Sequence, residues 1–401
     1  MSRIAARSLS RDDQESGLDS NTDERACSAV SRLTLVIASL AAGGAERVLS
    51  NMANYWATRG KSVTLITVSS AENDWYTLDK RVQRVGLGEA RRSGTTLQAV
   101  LNNLRRVWRL RRAIRASRPH AVISFMDTAN VLTLWATRTL NVPVIVSERI
   151  DPRAHMISGF WNRMRDLSYP WAAGIVVQTE AVSKWASARF DPRRVTVIPN
   201  PALVPTAKSA EKVRVPKPYV VAAGRLEQQK GFDLLLRAVA AVFSDLPDWS
   251  LAIVGEGSER ARLEALLTEL GLSSRVHLVG RHANPAHVFG QADLFVLSSR
   301  FEGFPNVLCE AMASGLPVVA FDCPSGPREI VRDEVDGLLV PPEDCAALAN
   351  AMTKLMRDPK LRRQFSSRAV EVLDRFSEDR VMGIWESLLT KVTNVPRKST
   401  A

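Results

Sequence analysis

Residues Ser298 to Gly315, SSRFEGFPNVLCEAMASG, hold the densest concentration of groups suited to chemistry in this chain of 401 residues. The stretch overlaps the end of an apolar run, DLFVLS, that reads as a strand, and its Gly303-Phe304-Pro305 turn feeds a helical pattern from Asn306. A strand, a tight turn and a helix N-terminus together form an anion site, because unpaired backbone N–H groups and the positive end of the helix dipole face one point. Glu302 stands before the turn and Glu310 one helical turn beyond Asn306, which puts both carboxylates at the mouth of that site. An ionised carboxylate offers two acceptor oxygens, so each suits a vicinal diol of a sugar or ribose. Two solvated glutamates would show the same spacing; the Gly-Phe-Pro-Asn between them argues otherwise.

The elements that must position these groups follow an alternating pattern. From Leu33 onward, LTLVIAS, SVTLITV, AVISF, VPVIVS, GIVVQT and RVTVIP are separated by amphipathic stretches, as in a parallel α/β fold. A helix from about Ala45 places Val48, Leu49, Met52 and Trp56 on one face and stops at Gly60. Periodicity is lost over 201–217, PALVPTAKSAEKVRVPK, which reads as a linker. It then restarts with YVVAAG, LAIVG, VHLV, DLFVLS, PVVAF and GLLV. The expected division is a polar tail over 1–28, a first Rossmann-like domain over 29–205, a second over 206–376, and a final helix and tail over 377–401 that packs on either domain. Doubly wound sheets bind ligands beyond the carboxyl ends of their strands, so two of them in tandem make a central cleft with one ligand on each wall.

With those motifs in place, the sequence resembles glycosyltransferase family 4, whose members share the GT-B fold and retain the anomeric configuration of the donor. Three further stretches carry the resemblance: Gly43-Gly44-Ala45-Glu46-Arg47, the run AGRLEQQKGFD at 223–233, and PSGPREI at 324–330. It covers about residues 33–390 and points to members acting on bacterial polysaccharide or lipid-linked glycans. The resemblance implies that Arg225 and Lys230 hold the donor diphosphate, with Gly43 and Gly44 near it. It also implies that Glu310 binds the nucleotide ribose and Glu302 the donor sugar, assisted by backbone from Gly303 through Phe304 and Pro305 to Asn306. Glu302, Arg225 and Lys230 are then the catalytic set: fixed cations facing the departing diphosphate stabilise the transition state more than the ground state. Many relatives carry a histidine after a first-domain strand; here VPVIVS runs into Glu148-Arg149-Ile150-Asp151 instead. Ser147, Glu148 and Arg149, with Asp127 and Asn130 after the preceding strand, are therefore the acceptor-side or diphosphate candidates.

The net charge of +12 is unevenly placed. Residues 1–205 carry 29 Lys and Arg against 17 Asp and Glu, while 206–401 carry 25 of each. A basic first domain points to an anionic partner. The stretch 95–119, TTLQAVLNNLRRVWRLRRAIRASRP, reads as a helix with an apolar stripe of Leu97, Val100, Leu101, Leu104, Val107 and Trp108. Arg105, Arg106, Arg109 and Arg112 fall on the other side. Either the stripe packs on the core under a solvated arginine face, or the helix meets an anionic membrane. Trp161 to Arg165 extends that basic surface. No nucleic-acid motif accompanies the charge, so nucleic acid is not an expected partner.

Cys27, Cys309, Cys323 and Cys345 show neither disulfide nor zinc spacing, and His120, His155, His277, His282 and His287 show no zinc-motif spacing. There is no D-x-D, so Arg and Lys replace a bridging metal and no cofactor is expected. Without an apolar run long enough to span a bilayer or act as a signal, a cytoplasmic location, peripheral on the inner membrane face, is expected. The sum is a retaining, metal-independent transferase moving a hexose or N-acetylhexosamine from a UDP-sugar to a glycan acceptor, carried on a lipid diphosphate. A sugar-nucleotide epimerase of the same fold and a non-catalytic nucleotide-sugar-binding module are the alternatives.

Overall fold

The computed structural model describes residues 30–72, 74–89, 94–203, 215–282 and 286–394. The expected tail over 1–28, most of the linker and the end of the C-terminal tail lie outside the described residues.

The first sheet is built from β1 (Arg32–Ile37), β2 (Ser62–Thr67), β3 (Gln83–Gly86), β4 (Ala121–Phe125), β5 (Val144–Ser147), β6 (Gly174–Val177) and β7 (Val195–Val197). They pair in the order β3-β2-β1-β4-β5-β6-β7, every pair parallel. Crossovers are made by α1 (Gly44–Thr58), α2 (Thr96–Ser117), α3 (Asp127–Thr137), α4 (Gly159–Ser168) and α5 (Glu180–Arg189). Runs such as AVISF are apolar throughout because helices cover both faces of the sheet, and all five of those residues are buried.

The second sheet takes β8 (Tyr219–Ala223), β9 (Ser250–Val254), β10 (Val276–Gly280), β11 (Leu294–Leu297), β12 (Val318–Phe321) and β13 (Gly337–Val340) in the order β10-β9-β8-β11-β12-β13. Its helices are α6 (Phe232–Asp245), α7 (Arg260–Glu269), α8 (Ala286–Phe289), α9 (Asn306–Ala313), α10 (Pro327–Ile330), α11 (Cys345–Arg357), α12 (Pro359–Ala369) and α13 (Val372–Arg375). Both domains thus reverse strand order once, between β1 and β4 and between β8 and β11. The carboxyl ends at those two switch points face each other across one cleft.

The last helix, α14 (Glu378–Asn394), settles on the first domain. Its Val381, Met382, Trp385, Leu388 and Leu389 share a core with Leu33, Leu35, Trp56 and Phe125, and the Trp385 and Phe125 rings lie 6.2 Å apart. Full burial of an apolar side chain is worth roughly 1.5–3 kcal/mol, so the first domain's core is incomplete without the chain's return from the second.

The basic helix α2 differs from expectation in which face it buries. Leu110 and Ile114 alone are fully buried, and the stripe is turned outward, Leu97 being 71% exposed and Leu104 62%. Arg105 and Arg109 instead reach the buried carboxylate of Glu89 at 3.1 and 2.8 Å. Arg106 and Arg109 donate to the carbonyls of Glu89 and Leu87. Guanidinium groups placed against carbonyl oxygens and a carboxylate are satisfied there. The helix thus packs on the core through Leu110 and Ile114, with Val107 and Ala113 beside them, and Arg105 and Arg109 stay 55% and 39% exposed on its flank; what departs from expectation is that the rest of the apolar stripe faces outward.

Candidate functional site

The cleft between the domains encloses about 370 Å³, continuous in its lining with a neighbouring recess of about 250 Å³. From the first domain it is lined by Gly43, Gly44, Glu46, Arg47, Met126, Arg149, Gln178 and Asn200, and from the second by Arg225, Lys230 and Glu302 to Val307. Every one of these residues follows the carboxyl end of a strand, so the sheet topology assembles the site.

Two helices open into it without a side-chain cap: α1 behind Gly43 and α9 behind Pro305. Uncapped first turns leave backbone N–H groups for a ligand and present the positive end of the dipole, so the cleft receives an anion from both walls. Met126, at the end of β4, has φ 75°, a left-handed conformation that a side chain rarely adopts, and it lies at the switch point of the first sheet.

The second wall is rigid. Gly231 has φ 62°, and a Cβ there would lie 2.0 Å from the Ser298 carbonyl oxygen. Only glycine lets the short turn Gln228–Lys230 approach the end of β11 so closely. Lys230 Nζ then meets Glu302 Oε1 at 2.6 Å, and Ser299 Oγ donates to the same oxygen at 2.6 Å. Arg300 ties the turn down through Asp233 at 2.8 Å and the Gln228 carbonyl. Gly303 faces the other domain at close range: a Cβ would stand 2.6 Å from the Arg149 carbonyl oxygen and 2.9 Å from Gln178 Oε1.

Contacts across the cleft fix the register of the two walls. Asn200 Nδ2 donates to Asn306 Oδ1 at 2.6 Å, the Thr179 and Ser325 hydroxyls meet at 2.8 Å, and the Glu180 N–H donates to Glu329 Oε1 at 2.7 Å. Arg47 forms an ion pair with Glu310, the carboxylate expected at the ribose. Burial pushes the carboxyl of Glu46 above its ordinary range; a hydrogen bond from its own backbone N–H in the first turn of α1, and then Arg225 opposite, partly offset this.

The expected site residues divide clearly. Gly43, Gly44, Arg225, Lys230, Glu302, Gly303, Phe304, Pro305 and Asn306 line one cavity, and Glu310 lines the adjoining recess beside Arg47. Of the acceptor-side set, Arg149 alone lines the cavity. Its guanidinium lies 4.1 Å from the Phe125 ring centre and donates to Asn200 Oδ1 and Ser147 Oγ. Burial lowers its pKa to about 9. Asn130 and Ser147 are fully buried inside the first domain, where the Asn130 amide donates to the Ser147 carbonyl and the Tyr169 hydroxyl. Glu148 is buried with them, accepts from Tyr169 at 2.6 Å and sits 3.5 Å from Arg165; burial raises its pKa. Asp127 opens α3, accepts from the Thr128 N–H and lies 3.6 Å from His155.

Sequence reasoning assigned no role to Glu46, Arg47, Gln178 or Asn200. The last two carry a usable signal, since each immediately follows an apolar run that reads as a strand, GIVV and VTVIP. Among the described residues no group of three or more His, Cys, Asp or Glu is arranged to hold a metal ion, and no helix is long and apolar enough to cross a membrane.

Comparison with known proteins covers both halves of the chain. The glycosyl transferase 4-like domain model matches residues 43–201 and the glycosyl transferases group 1 model matches residues 205–372. One relative, from Campylobacter jejuni, is GalNAc-alpha-(1->4)-GalNAc-alpha-(1->3)-diNAcBac-PP-undecaprenol alpha-1,4-N-acetyl-D-galactosaminyltransferase. It is 28% identical over 364 residues, covering 90% of this chain and 99% of its own. Among solved structures, Anabaena Alr3699/HepE in complex with UDP aligns with a TM-score of 0.73 at 21% identity, over 89% of this chain and 99% of its own. The sucrose-phosphate synthase of Thermosynechococcus elongatus aligns with a TM-score of 0.76 at 19% identity, over 90% and 98%. These structures share the fold.

Proposed function

The chain belongs to the family 4 type of GT-B glycosyltransferases, a transferase of bacterial polysaccharide and lipid-linked glycan assembly, and on that premise we propose the following reaction. A hexose or N-acetylhexosamine passes from a UDP-sugar, with its anomeric configuration retained, to a glycan acceptor borne on a lipid diphosphate. The observation that carries this reading is the convergence of two uncapped helix N-termini with Arg225 and Lys230 on one cleft that joins the switch points of both sheets. The N–H groups and the two cations receive the diphosphate, Glu310 takes the ribose diol, and Glu302, held by Lys230 and Ser299, takes the sugar hydroxyls. A structural neighbour in complex with UDP and an undecaprenyl diphosphate glycan in the name of a relative support the two substrate classes.

In the reaction, the bond from the anomeric carbon to the β-phosphate oxygen breaks as the acceptor oxygen approaches the same face. The departing phosphate oxygen accepts the acceptor's proton while the sugar passes through an oxocarbenium-like state. Charge growing on the diphosphate meets preorganised donors already aimed at it, which need no reorganisation as the bond breaks. Because arginine, lysine and helix dipoles supply the positive charge, transfer proceeds at its full rate in excess chelator. The enzyme works at the inner face of the cytoplasmic membrane, where a lipid-borne acceptor is met. The test is incubation with UDP-sugars and a lipid-diphosphate glycan, with and without EDTA, followed by NMR of the new linkage. An α-linked product at equal rates is expected. A β-linked product refutes retention, an isomerised sugar nucleotide formed without acceptor refutes transfer, and complete loss in EDTA refutes metal independence.

A further inference from the structure

We infer that Gln178 is a specificity residue for the transferred sugar: its carboxamide hydrogen-bonds two adjacent ring hydroxyls of the donor from the wall opposite Glu302. This deepens the proposed reaction and rests on it for the identity of the ligand.

Gln178 immediately follows β6 and is 3% exposed. Its Oε1 is buried without a hydrogen-bond partner, and no described residue bonds to its Nε2. A buried polar group left unpaired destabilises a fold, so native structures keep few of them. The structural tasks at this strand end are done by its neighbours. Thr179 caps α5 through the Val182 N–H and meets Ser325 across the cleft, and the Glu180 N–H donates to Glu329. Asn200, the other carboxamide lining this wall, is used at both ends, accepting from Arg149 and donating to Asn306. Gln178 has no such work within the described residues.

The lining orders the cleft along a bound donor. Glu310 lines the recess alone, Gly44 and Arg225 line both the recess and the main cavity, and Gln178, Lys230 and Glu302 line the main cavity alone. With the ribose on Glu310 and the diphosphate beside Arg225, the sugar ring beyond it comes between Glu302 and Gln178. Gly303 links these two: it follows Glu302 in the chain, and a Cβ on it would stand 2.9 Å from Gln178 Oε1. Glycine there leaves the carboxamide its room. Lys230 and Ser299 both donate to Oε1 of Glu302, which leaves its Oε2 for the ligand.

Chemistry selects the partner. A carboxamide carries one acceptor and two N–H donors on a planar group, and rotation about its last bond brings either end to the cavity. A phosphate offers acceptors only and would leave Oε1 unpaired. Adjacent sugar hydroxyls each donate and accept, so one donates to Oε1 while its neighbour accepts from Nε2. Glu302, an acceptor only, takes a hydroxyl proton from the second wall. A donor with one of the paired hydroxyls missing leaves the buried carboxamide half satisfied, and is discriminated against for that reason.

Isothermal titration of the wild type, Gln178→Leu and Gln178→Met tests the inference. The ligands are UDP, UDP-glucose, UDP-galactose, their N-acetylhexosamine counterparts, and analogues of the tightest of these lacking one ring hydroxyl at a time. Both variants are expected to bind UDP as the wild type does and to bind the sugar nucleotide about tenfold more weakly. Their thermal midpoints stay level or rise, because an unpaired buried group is gone. In the wild type, loss of either of two adjacent hydroxyls costs about tenfold in affinity; in the variants neither loss costs anything further. A variant that binds UDP and UDP-sugar equally weakened overturns the inference, as do hydroxyl penalties that persist in the variants. So does a defect confined to the KM of the glycan acceptor, which would put Gln178 on the acceptor instead. A wild type that binds no UDP-sugar refutes the proposed reaction and this inference with it, whereas sugar-nucleotide binding indifferent to residue 178 refutes the inference alone.

Discussion

Arg225→Ala is expected to lower kcat by about 10²–10³, the loss of about 3–4 kcal/mol of transition-state stabilisation that one preorganised charge partner supplies, while leaving the folding midpoint unchanged. The side chain of Arg225 is 59% exposed and pairs with exposed Glu227 at 3.1 Å, a contact worth about 0–1 kcal/mol. Lys230→Ala is expected to match that kinetic loss and to fall in stability as well. Its partner Glu302 is buried, and the substitution leaves that carboxylate with the Ser299 hydroxyl as its hydrogen-bond partner. Removing one member of a buried pair costs about 3–5 kcal/mol. Steady-state kinetics and thermal denaturation of the two variants together separate the charge acting on the diphosphate from the charge holding Glu302. An Arg225→Ala enzyme of unchanged kcat would remove Arg225 from the catalytic set.

Arg149→Met is expected to gain stability and lose transfer. Burial holds the Arg149 guanidinium at a pKa of about 9, no carboxylate among the described residues pairs with it, and its Nε has no hydrogen-bond partner. A folded-state pKa below the unfolded value means that the unfolded chain binds more protons between about 9 and 12.5. The penalty is therefore complete below pH 9 and is relieved as pH rises through that window. An apolar side chain of similar length removes the buried charge. Even after the bonds to Asn200 and Ser147 are lost, a net gain of about 1–2 kcal/mol should raise the midpoint by about 2–6 °C at neutral pH. The cost of an unpaired cation in the cleft makes sense if a substrate phosphate completes it, so transfer should fall by about 10²-fold. A variant both less stable and fully active would contradict this role.

Most of the fold was legible because buried parallel strands are apolar on both faces and stand out as short unbroken runs. The strand β3 was not, since QRVG lies at the sheet edge, where one side needs no partner and polar residues serve. Periodicity announced α14 but could not say which core it completes; that is decided by the space between α1 and β4 that Trp385 fills. The same limit governs α2. An amphipathic pattern gives two faces without saying which is inward, and Glu89, the buried carboxylate that Arg105 and Arg109 reach from the helix flank, lies outside the helix.

The second wall of the site was readable because the strand, glycine turn and helix start sit in consecutive residues. The first wall was less so. Asn130, Ser147 and Glu148 stand at or after strand ends, yet their side chains turn into the domain and satisfy one another through Tyr169 and Arg165. Arg149, the next residue, turns out into the cleft. The pairing of Arg47 with Glu310 joins residues 263 positions apart, which no local pattern encodes.

The central claim, that a sugar nucleotide binds between the two switch points with its ribose on Glu310, is tested most directly by thermal denaturation with UDP, UDP-sugars and other nucleoside diphosphates, in the wild type and in Glu310→Ala. At about a hundred times its dissociation constant, a ligand of the folded state adds about 2.7 kcal/mol. A UDP-dependent rise in the wild-type midpoint that disappears in Glu310→Ala is the predicted result. No shift with any nucleoside diphosphate, or an equal shift in the variant, would contradict it.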